Sequence, residues 1–367
     1  MCHLQYTPIL VTLSNLFIIE TRGASSVKIA VDVMGTDYGP KELVKGAVDA
    51  AKAYGCEVIL VGDEEVIKKE LALNNADKDR MISICHAGDV IAMDEHPAIA
   101  VRRKKDASIV VASKLLKGNK CDALISAGST GAAVTSALFC VGRIPGVDKP
   151  CIATTIPSLK GISIMLDSGA FVDAKPKQMV INAVMGSVYA QKLMNIKEPR
   201  VGLLNIGSEE TKGNELALAT YPLLKELKQI NFIGNVEGND IPKGNVDVVV
   251  CDAFVGNVAL KFGEGLANAI MTMLKDAINN GGFLAKIGAL LLKPALVNMK
   301  KRVDVQEYGG ALLLGVKGPF MICHGNSKAK SIQSAIRMVI SLVEQNIVGT
   351  LSEKIAEAQQ GNEEIEG

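Results

Sequence analysis

The sequence has no tryptophan, and aromatic residues make up only 4% of its 367 residues. Proteins that hold single-stranded nucleic acid stack the bases on aromatic side chains, so this class of partner is disfavoured. Charge of one sign is lacking too, because 40 Lys and Arg against 39 Asp and Glu leave a formal net charge of +1. The chain therefore has no overall electrostatic attraction for nucleic acid, and any charged partner must meet a local patch.

Spacings typical of metal and redox sites are also missing. The eight cysteines include no C-x-x-C pair, and the four histidines form no H-E-x-x-H motif and no cluster at ligand spacing. Structural zinc sites and dithiol redox centres require such spacings. Most cysteines instead lie in apolar runs, as buried free thiols of a reducing cytosol do. We therefore expect no metal site and a cytoplasmic protein.

From residue 27 onward, short apolar runs alternate with longer segments of helical periodicity. Most runs are continuously apolar, which is typical of strands that are buried on both faces. They predict eleven strands, over residues 27–33, 57–62, 81–87, 122–128, 151–157, 162–167, 200–207, 230–236, 246–252, 311–316 and 319–324. Helices are predicted between them, over residues 40–54, 98–117, 130–141, 176–194, 214–227, 258–279 and 327–348. The pattern predicts an α/β fold with a largely parallel sheet and helices on both sides.

Both ends of the chain differ from this pattern. Residues 8–19 form an apolar stretch that is too short to span a bilayer and has no basic segment before it. We expect residues 1–26 to be a mobile extension or the product of a wrongly chosen start, with a weak membrane-touching segment as the alternative. Residues 27–350 are expected to form one large domain. The polar and acidic residues 351–367 predict a flexible tail.

The loop after the fourth predicted strand has the composition of an anion site. Residues 121–133 (CDALISAGSTGAA) form a buried strand, a turn of small residues and the start of a helix. Gly128 and Gly131 permit close backbone approach, and the hydroxyls of Ser129 and Thr130 add donors to the unpaired amides of the helix start. These groups suit phosphate or another oxyanion, although the P-loop and dinucleotide-binding motifs are absent. An ordinary capped helix, packed closely on the strand, is the alternative.

Loops after three other predicted strands carry candidate catalytic side chains. Asp37, near Gly35 in the loop after the first strand, is suited to act as a general base, to orient substrate, to bind a cation or to cap the next helix. Lys212 and Asn214 stand at the helix start that follows the seventh strand. His324, followed by a glycine turn, is suited to deliver a proton to a leaving group near neutral pH. A lone histidine at a strand end that is only hydrogen-bonded in place is the alternative.

A basic run over residues 102–105 lies on a predicted helix. Successive helical residues are about 100° apart, so four consecutive side chains cannot all face one site. One or two of them, Arg103 or Lys105, could reach a phosphate while the others are solvated. A plain exposed face is the alternative.

Residues 281–302 (GGFLAKIGALLLKPALVNMKKR) combine a strongly apolar stretch with a basic fringe. As a helix, this segment would suit the surface of a membrane or a partner-binding tip. A dimer interface or a core helix is an equally compatible interpretation.

Several motifs, read in order along the chain, form a recognisable set. They are KIAVDVMGTDYGP, EHPAIAVRRKKDAS, DALISAGSTGA, GRIPGVDKP, LDSGAFVDAKP, MGSVYA, LLNIGSEETKGNEL, INFIGNVEG, FVGNVALK, YGGALLLGVKGP and CHGNS. From about residue 27 to residue 348, the chain resembles the phosphate acyltransferase family of bacterial phospholipid synthesis; residues 1–26 have no counterpart in that pattern. The sequence departs from the family pattern at five positions: Thr36 stands for Gly, Ala107 for Ser, Ser129 for Asn, Phe171 for Asn and Ala253 for Gly.

This resemblance implies transfer of a fatty acyl group from acyl carrier protein to inorganic phosphate, giving an acyl phosphate for a downstream glycerol-3-phosphate acyltransferase. It implies a three-layer α/β/α sandwich related to phosphotransacetylases and to the isopropylmalate dehydrogenase-like fold, a homodimer and no cofactor. It also implies peripheral attachment to the inner face of the membrane through a projecting helical tip, which would be residues 281–302. The side chains expected to contact the membrane or the carrier protein there are Phe283, Leu284, Ile287, Leu290, Leu291, Lys300, Lys301 and Arg302. The basic run over residues 102–105 is the alternative docking surface for the acidic carrier protein.

Acyl transfer to phosphate needs a firmly held dianion, donors for the charge that grows on the thioester oxygen, and a proton for the departing thiolate. Orientation and proton handling are assigned to Asp37, Lys212, Asn214 and His324. Substrate binding is assigned to Gly35, Arg103, Lys105, Ser129, Thr130, Gly131, Asp167 and Asn257. No serine or cysteine stands beside a base in the sequence, so direct attack by phosphate is expected, without a covalent acyl enzyme.

Two other functions remain open at this point. A phosphotransacetylase-like enzyme would use an acyl-coenzyme A and would not need the apolar tip. A non-catalytic module that binds the membrane or the carrier protein would keep the tip and tolerate changes in the anion loop.

Overall fold

The structure, a computed structural model, describes the backbone of residues 27–303 and 309–366 and the side chains of residues 27–299 and 309–360. The predicted extension over residues 1–26 lies outside the described residues, and so do the side chains of Lys300, Lys301 and Arg302. Each described strand lies on one of the eleven predicted runs. The strands are β1 (Lys28–Asp32), β2 (Glu57–Gly62), β3 (Ile82–His86), β4 (Ala123–Ser126), β5 (Cys151–Ser158), β6 (Gly161–Leu166), β7 (Arg200–Asn205), β8 (Asn231–Glu237), β9 (Val248–Val250), β10 (Ala311–Leu314) and β11 (Phe320–Ile322).

The strands form one sheet in the order β3-β2-β1-β4-β11-β10-β5-β6-β9-β7-β8. Seven of the ten neighbouring pairs in the described chain are parallel, which confirms the largely parallel sheet. The three antiparallel pairs, β11 with β10, β10 with β5 and β5 with β6, lie together in the middle. Strands β1–β4 and β11 therefore run one way and β6–β9 run the other way. The loops at their carboxyl ends consequently lie at opposite edges of the sheet.

Helices cover both faces of the sheet. They are α1 (Pro40–Tyr54), α2 (Glu64–Leu73), α3 (Pro97–Arg103), α4 (Ser108–Lys117), α5 (Thr130–Ser136, continued by a π-helical turn over Ala137–Val141), α6 (Pro176–Leu193), α7 (Glu215–Glu226), α8 (Asp240–Lys243), α9 (Ala253–Asn280), α10 (Gly282–Val303), α11 (Ala329–Glu344) and α12 (Ile347–Glu366). Ile29 and Val31 of β1 pack into a core with α1, α6 and α11, whereas Ala30 between them packs into a second core with α3, α4 and α5. Because alternate strand residues point to opposite faces, this arrangement gives the three-layer sandwich.

The helix predicted over residues 98–117 is two helices, α3 and α4, separated by residues 104–107. The backbone there bonds to the loop after β3 instead of continuing the helix: Asp89 N donates to Asp106 O at 3.2 Å, and Ser108 N donates to Asp89 O at 3.0 Å. Tertiary hydrogen bonds thus override a continuous helical periodicity. The break makes Ser108 the first residue of α4 and buries its side chain.

The flexible tail predicted over residues 351–367 is wrong for most of its length. Helix α12 continues through the segment, and the side chains of Leu351, Ile355 and Ala358 are buried in the core that α6 also lines. These three residues follow the spacing of three or four that one helix face requires. The many polar residues between them concealed that spacing, and the large domain extends beyond residue 350.

Helix α10 coincides with the segment expected to form a projecting tip. Its apolar side chains Phe283, Leu284, Leu290 and Leu291 are exposed. Among the described residues, Gly282–Met299 is the one helix that is long and apolar enough to cross a membrane, judged by length and composition alone.

Candidate functional site

Three of the predicted functional loops meet at one edge of the sheet. Strands β1, β4 and β11 are adjacent and parallel, so the loops that follow them leave the sheet side by side. Asp37 N donates to Gly325 O at 3.0 Å, which joins the loop after β1 to the loop after β11. A side chain on Gly35 would lie 3.7 Å from the Gly128 Cα, which brings the loop after β4 against the loop after β1.

The loop after β4 has the expected helix start. Ser129 is the N-cap of α5, and its Oγ accepts a hydrogen bond from Ala132 N at 3.4 Å. Thr130 is exposed, whereas Ser129 and Gly131 are half-buried. Helix starts leave their first amides without intrahelical partners, so this loop presents amide and hydroxyl donors to an anion. Gly131 is required by packing, because a Cβ there would lie 2.6 Å from Pro97 Cγ of α3.

A narrow pocket opens between these loops, with a carboxylate in its wall. Polar and apolar residues line it together: Asp32, Met34, Gly35, Val90, Ile91, Ser108, Ile109, Ser126, Gly128, Ser129 and Ala132. Asp32 ends β1 and is only 2% exposed. Its Oδ2 accepts from Ser126 Oγ at 2.8 Å, its Oδ1 accepts from Met34 N at 3.3 Å, and Ser108 also hydrogen-bonds to it.

The carboxyl group of Asp32 has an altered acidity. Burial raises its pKa from the ordinary 3.8 to about 6, although the hydrogen bonds from Ser108, Ser126 and Met34 favour the charged form. Sequence reasoning missed Asp32, Ser108 and Ser126. One signal was available: Asp32 is a charged residue at the end of an otherwise apolar strand, at the edge where ligands bind in such folds.

We expect Asp32→Asn to raise the free energy of unfolding at pH 7.5 by about 3 kcal/mol, because the amide removes a buried charge. The folded state of the wild type binds its Asp32 proton more tightly than the unfolded state does, so this contribution to stability is lost as the pH rises from about 4 to about 6. Denaturant unfolding of both proteins at pH 4 and pH 7.5 measures the difference. A gain of equal size at both pH values would contradict the buried charge.

His324 lies at the same edge and faces α9. Its side chain is 43% exposed, and its Nε2 lies 3.8 Å from Glu264 Oε1, an ion pair when the imidazole is protonated. Gly325 follows it, and a Cβ there would lie 3.1 Å from Asp37 Oδ1, so Asp37 and the His324 loop are neighbours. Asp37 does not cap α1: the N-cap is Gly39, without a side-chain hydrogen bond.

The basic run near the pocket is divided between several roles. Lys104 donates to Val90 O at 2.8 Å and to Glu95 Oε1 at 2.9 Å, so it fixes the loop after β3. The Arg102 guanidinium lies 5.0 Å from the centre of the Phe139 ring. Arg103 and Lys105 are exposed where α3 ends, and they stay the candidates of this run for a phosphate.

Asp167, which is predicted to bind substrate, makes its hydrogen bonds to backbone amides in the structure. Its carboxylate is 1% exposed and is bound by four backbone amides. Oδ1 accepts from the amides of Ile152, Gly169 and Ala170 at 2.9–3.0 Å, and Oδ2 accepts from Phe171 N at 3.2 Å. Asp167 therefore organises its own loop, and Phe171 contributes an amide where the family pattern has an Asn side chain.

Lys212 and Asn214 are also far from the pocket within one chain. They follow β7, which is six strands from β4, or about 29 Å at 4.8 Å per strand, and they lie at the opposite edge. The Asn214 Oδ1 accepts from Ala217 N at 2.9 Å and caps α7. The assignment of both residues to orientation and proton handling stays a prediction.

Asn257 lies on α9, close to the loop that contains Asp167. It is exposed on the first turns of α9, and a Cβ on Gly169 would lie 3.8 Å from its Oδ1. Glu264, the partner of His324, follows seven residues later on the same helix, which is about 10 Å of helical rise. Helix α9 thus connects the edge that holds Asp167 with the edge that holds the pocket.

Within the described residues, no group of three or more His, Cys, Asp or Glu side chains could hold a metal ion.

Comparisons with known proteins agree with this architecture. The sequence profile described as "Fatty acid synthesis protein" matches residues 27–349. The chain is 52% identical over 329 residues to the phosphate acyltransferase of Pelotomaculum thermopropionicum, covering 90% of this chain and 95% of that protein. It is also 52% identical over 329 residues to the phosphate acyltransferase of Heliobacterium modesticaldum, covering 90% and 98%.

Among solved structures, the phosphotransacetylase from Streptococcus pyogenes has a similar fold. The TM-score is 0.60 at 16% identity, over 87% of this chain and 94% of the other, so the likeness concerns the fold alone. The family assignment is based on the sequence identity to these relatives over nine-tenths of the chain. The chain therefore belongs to the phosphate acyltransferase family of fatty acid synthesis proteins.

Proposed function

We propose that this protein transfers a fatty acyl group from acyl carrier protein to inorganic phosphate, releasing the free carrier protein and an acyl phosphate. The observation that carries the proposal is the loop after β4 at the mouth of the narrow pocket: Ser129 lines the pocket and caps α5. The exposed Thr130 and the half-buried Gly131 follow it with hydroxyl and amide donors. Donors fixed by strand and helix ends hold an anion without reorganising, which is the main requirement when phosphate must be aimed at a carbonyl carbon. The acyl phosphate would supply a downstream glycerol-3-phosphate acyltransferase.

In the proposed reaction, a phosphate oxygen bonds to the thioester carbonyl carbon and the carbon–sulfur bond breaks. The departing thiolate takes a proton from protonated His324, whose loop lies beside the pocket and whose imidazole pairs with Glu264. Asp37, on the neighbouring loop, orients the reacting groups. A thiol has an ordinary pKa near 8.5 and leaves readily, so positioning of phosphate dominates over acid catalysis.

Direct attack by phosphate is supported by the state of the available nucleophiles. Burial raises the pKa of the Cys121 thiol to about 11 and that of Cys323 to about 12, and it raises the pKa of Cys251 well above its ordinary value. Such thiols are poor nucleophiles. Ser126 does have a neighbouring carboxylate, Asp32, but its side chain is only 1% exposed, so a thioester carbonyl has little access to it.

Helix α10 is the proposed contact surface for the acyl carrier protein and the membrane, and α9 is the proposed contact surface for a second subunit. Acyl carrier protein is acidic, and the basic residues Lys300, Lys301 and Arg302 at the end of α10 would attract it, with an activity that falls as salt rises. The exposed apolar side chains of α10 suit peripheral attachment to the inner face of the membrane. A homodimer fits the apolar side chains that α9 exposes, which include Phe254, Val258, Phe262, Leu266, Ile270 and Met273.

We expect Leu291→Glu to weaken binding to anionic phospholipid vesicles by about tenfold or more, because a buried leucine contributes about 1.5–3 kcal/mol of transfer free energy. Leu291 is 77% exposed on α10. Leu73→Glu on α2 is the matched control, since Leu73 is 75% exposed outside the tip. Vesicle flotation of both variants measures the effect, and equal losses of binding would contradict a membrane role of α10.

The test of the proposed function is phosphate-dependent release of acyl carrier protein from its palmitoyl thioester, with the acyl phosphate trapped by hydroxylamine. The same assay with palmitoyl-coenzyme A distinguishes a phosphotransacetylase-like enzyme. We expect the carrier-protein donor to react faster. Release without phosphate, or acyl groups that stay on the protein, would contradict direct attack.

A further inference from the structure

A surface of basic and apolar side chains lies near the anion loop, on helices α3 and α5, which run side by side. At one end of the two helices, a Cβ on Gly131 of α5 would lie 2.6 Å from Pro97 Cγ of α3. At the other end, the Arg102 guanidinium of α3 lies 5.0 Å from the centre of the Phe139 ring, in the π-helical turn that continues α5. Phe139 follows Thr130 by nine residues, which is about 14 Å of helical rise. The surface at Phe139 is therefore one short helix away from the loop that is proposed to hold phosphate.

Two large apolar side chains of this surface are open to solvent. Phe139 is 52% exposed and Ile99 is 50% exposed. Ile99 stands three residues before Arg102 on α3, so these two side chains share one face of the helix. The guanidinium beside the Phe139 ring leaves half of that side chain uncovered. Exposed aromatic and aliphatic side chains next to arginine are typical of a contact surface for another macromolecule.

The same surface carries positive charge that the described part of the chain does not neutralise. Its four exposed cations are Arg102, Arg103, Lys105 and Lys114. Within the described residues, none of the four forms an ion pair with a carboxylate, in contrast to Lys104, which is paired with Asp89 and Glu95. Lys114 donates to Lys105 O at 2.9 Å, which brings the cation of α4 to the end of α3. One exposed carboxylate, that of Asp106, accompanies the four cations. A chain of net charge +1 thus has a strongly basic patch here.

Resting on the proposed function, we propose that the face formed by Ile99, Arg102, Lys114 and Phe139, called the α3–α5 surface, docks the acidic acyl carrier protein during the reaction. Acidic side chains of the carrier pair with the cations, and an apolar side chain of the carrier packs on Phe139. The carrier bears its thioester on a prosthetic arm, so its docking surface must lie within reach of the pocket, as this surface does. The basic end of α10 attracts the carrier over a longer range, whereas the α3–α5 surface holds it beside the anion loop.

The test compares wild type and Arg102→Glu with two donors, palmitoyl acyl carrier protein and palmitoyl-pantetheine, which has the thioester without the carrier. We expect Arg102→Glu to raise the KM for the carrier-protein donor about tenfold or more, because the reversed charge repels the acidic partner. The kcat with that donor and the rate with palmitoyl-pantetheine should stay unchanged, since neither depends on docking of the carrier. Arg80→Glu is the matched control, because Arg80 is exposed outside this surface, and its KM should equal that of the wild type.

Phe139→Ser tests the apolar part of the surface. We expect it to raise the KM for the carrier-protein donor about tenfold, as truncation of an aromatic anchor does at an interface. Its rate with palmitoyl-pantetheine should match that of the wild type, which also shows that the variant is folded.

A KM for the carrier-protein donor that neither Arg102→Glu nor Phe139→Ser changes would overturn docking at the α3–α5 surface. An equal loss with palmitoyl-pantetheine, or an equal effect of Arg80→Glu, would overturn it as well. Failure of the proposed function gives a different result: the wild type would then release no carrier protein in response to phosphate, and the docking surface would be lost with it. A wild type that is active, with a KM that both variants leave unchanged, loses only the docking surface.

Discussion

Replacement of Ser129 by aspartate is expected to lower phosphate-dependent acyl transfer by about 1000-fold or more while leaving the fold intact. Ser129 is the N-cap of α5, and aspartate is as good an N-cap residue as serine, so the helix start keeps its hydrogen bond to Ala132 N. The new carboxylate would stand beside the phosphate, where one pair of like charges at 4 Å costs about 4 kcal/mol at an effective dielectric constant of 20. That energy corresponds to roughly three powers of ten in affinity.

Ser129→Asn is the matched control, because asparagine has the shape of aspartate without its charge and is also a favoured N-cap. It is the residue that the family pattern has at this position. We expect Ser129→Asn to retain activity within a few-fold of the wild type. Initial rates at several phosphate concentrations separate the two variants. Similar activities of Ser129→Asp and Ser129→Asn would show that no dianion is held at this loop.

Replacement of Gly256 by alanine is expected to lower the free energy of unfolding by more than about 4 kcal/mol, because the added methyl group would severely overpack this position. Gly256 is buried in the first turn of α9, and a Cβ there would overlap the carbonyl oxygen of Asp167 and lie 2.9 Å from Cys251 Sγ. Both contacts belong to rigid parts of the sheet edge: Asp167 is fixed by four amide hydrogen bonds, and Cys251 directly follows β9. The helix must therefore move away from the sheet.

Gly263→Ala tests the same substitution two turns further along α9. A Cβ on Gly263 meets nothing within 4 Å, so the change removes only the conformational freedom of glycine. We expect a gain of about 0.5–1 kcal/mol in the free energy of unfolding. Denaturant unfolding of both variants gives the comparison. Equal effects at Gly256 and Gly263 would contradict the close approach of α9 to the sheet.

The strands could be predicted from the sequence because each is a short apolar run between turn residues, and burial of both faces leaves no polar alternation to misread. The helices were harder to predict where tertiary contacts determine their bounds. Residues 98–117 have helical periodicity throughout, yet hydrogen bonds to Asp89 interrupt the helix. In α12 the reverse holds, because Leu351, Ile355 and Ala358 are too sparse among polar residues to indicate a buried helix face.

The candidate site could be predicted only in part, because a single sequence does not show in which direction each strand runs within the sheet. Asp37, Ser129 and His324 follow strands that run the same way, and the prediction that they share one edge of the sheet agrees with the structure. Lys212 and Asn214 follow a strand that looks equivalent in sequence but runs the opposite way. The three antiparallel pairs in the middle of the sheet cause this reversal.

Asp32 was missed for a different reason. Its acidity and its place in the pocket wall depend on Ser108 and Ser126, which reach it from α4 and β4. No local pattern connects residues that are 76 and 94 positions away from Asp32 in the chain.

A crystal structure of the protein with bound phosphate tests the central claim most directly. We predict phosphate at the mouth of the pocket between β1 and β4, with oxygens at hydrogen-bond distance from Ser129 and from the amides of Thr130 and Gly131. Phosphate bound elsewhere, with this pocket closed to it, would contradict the account.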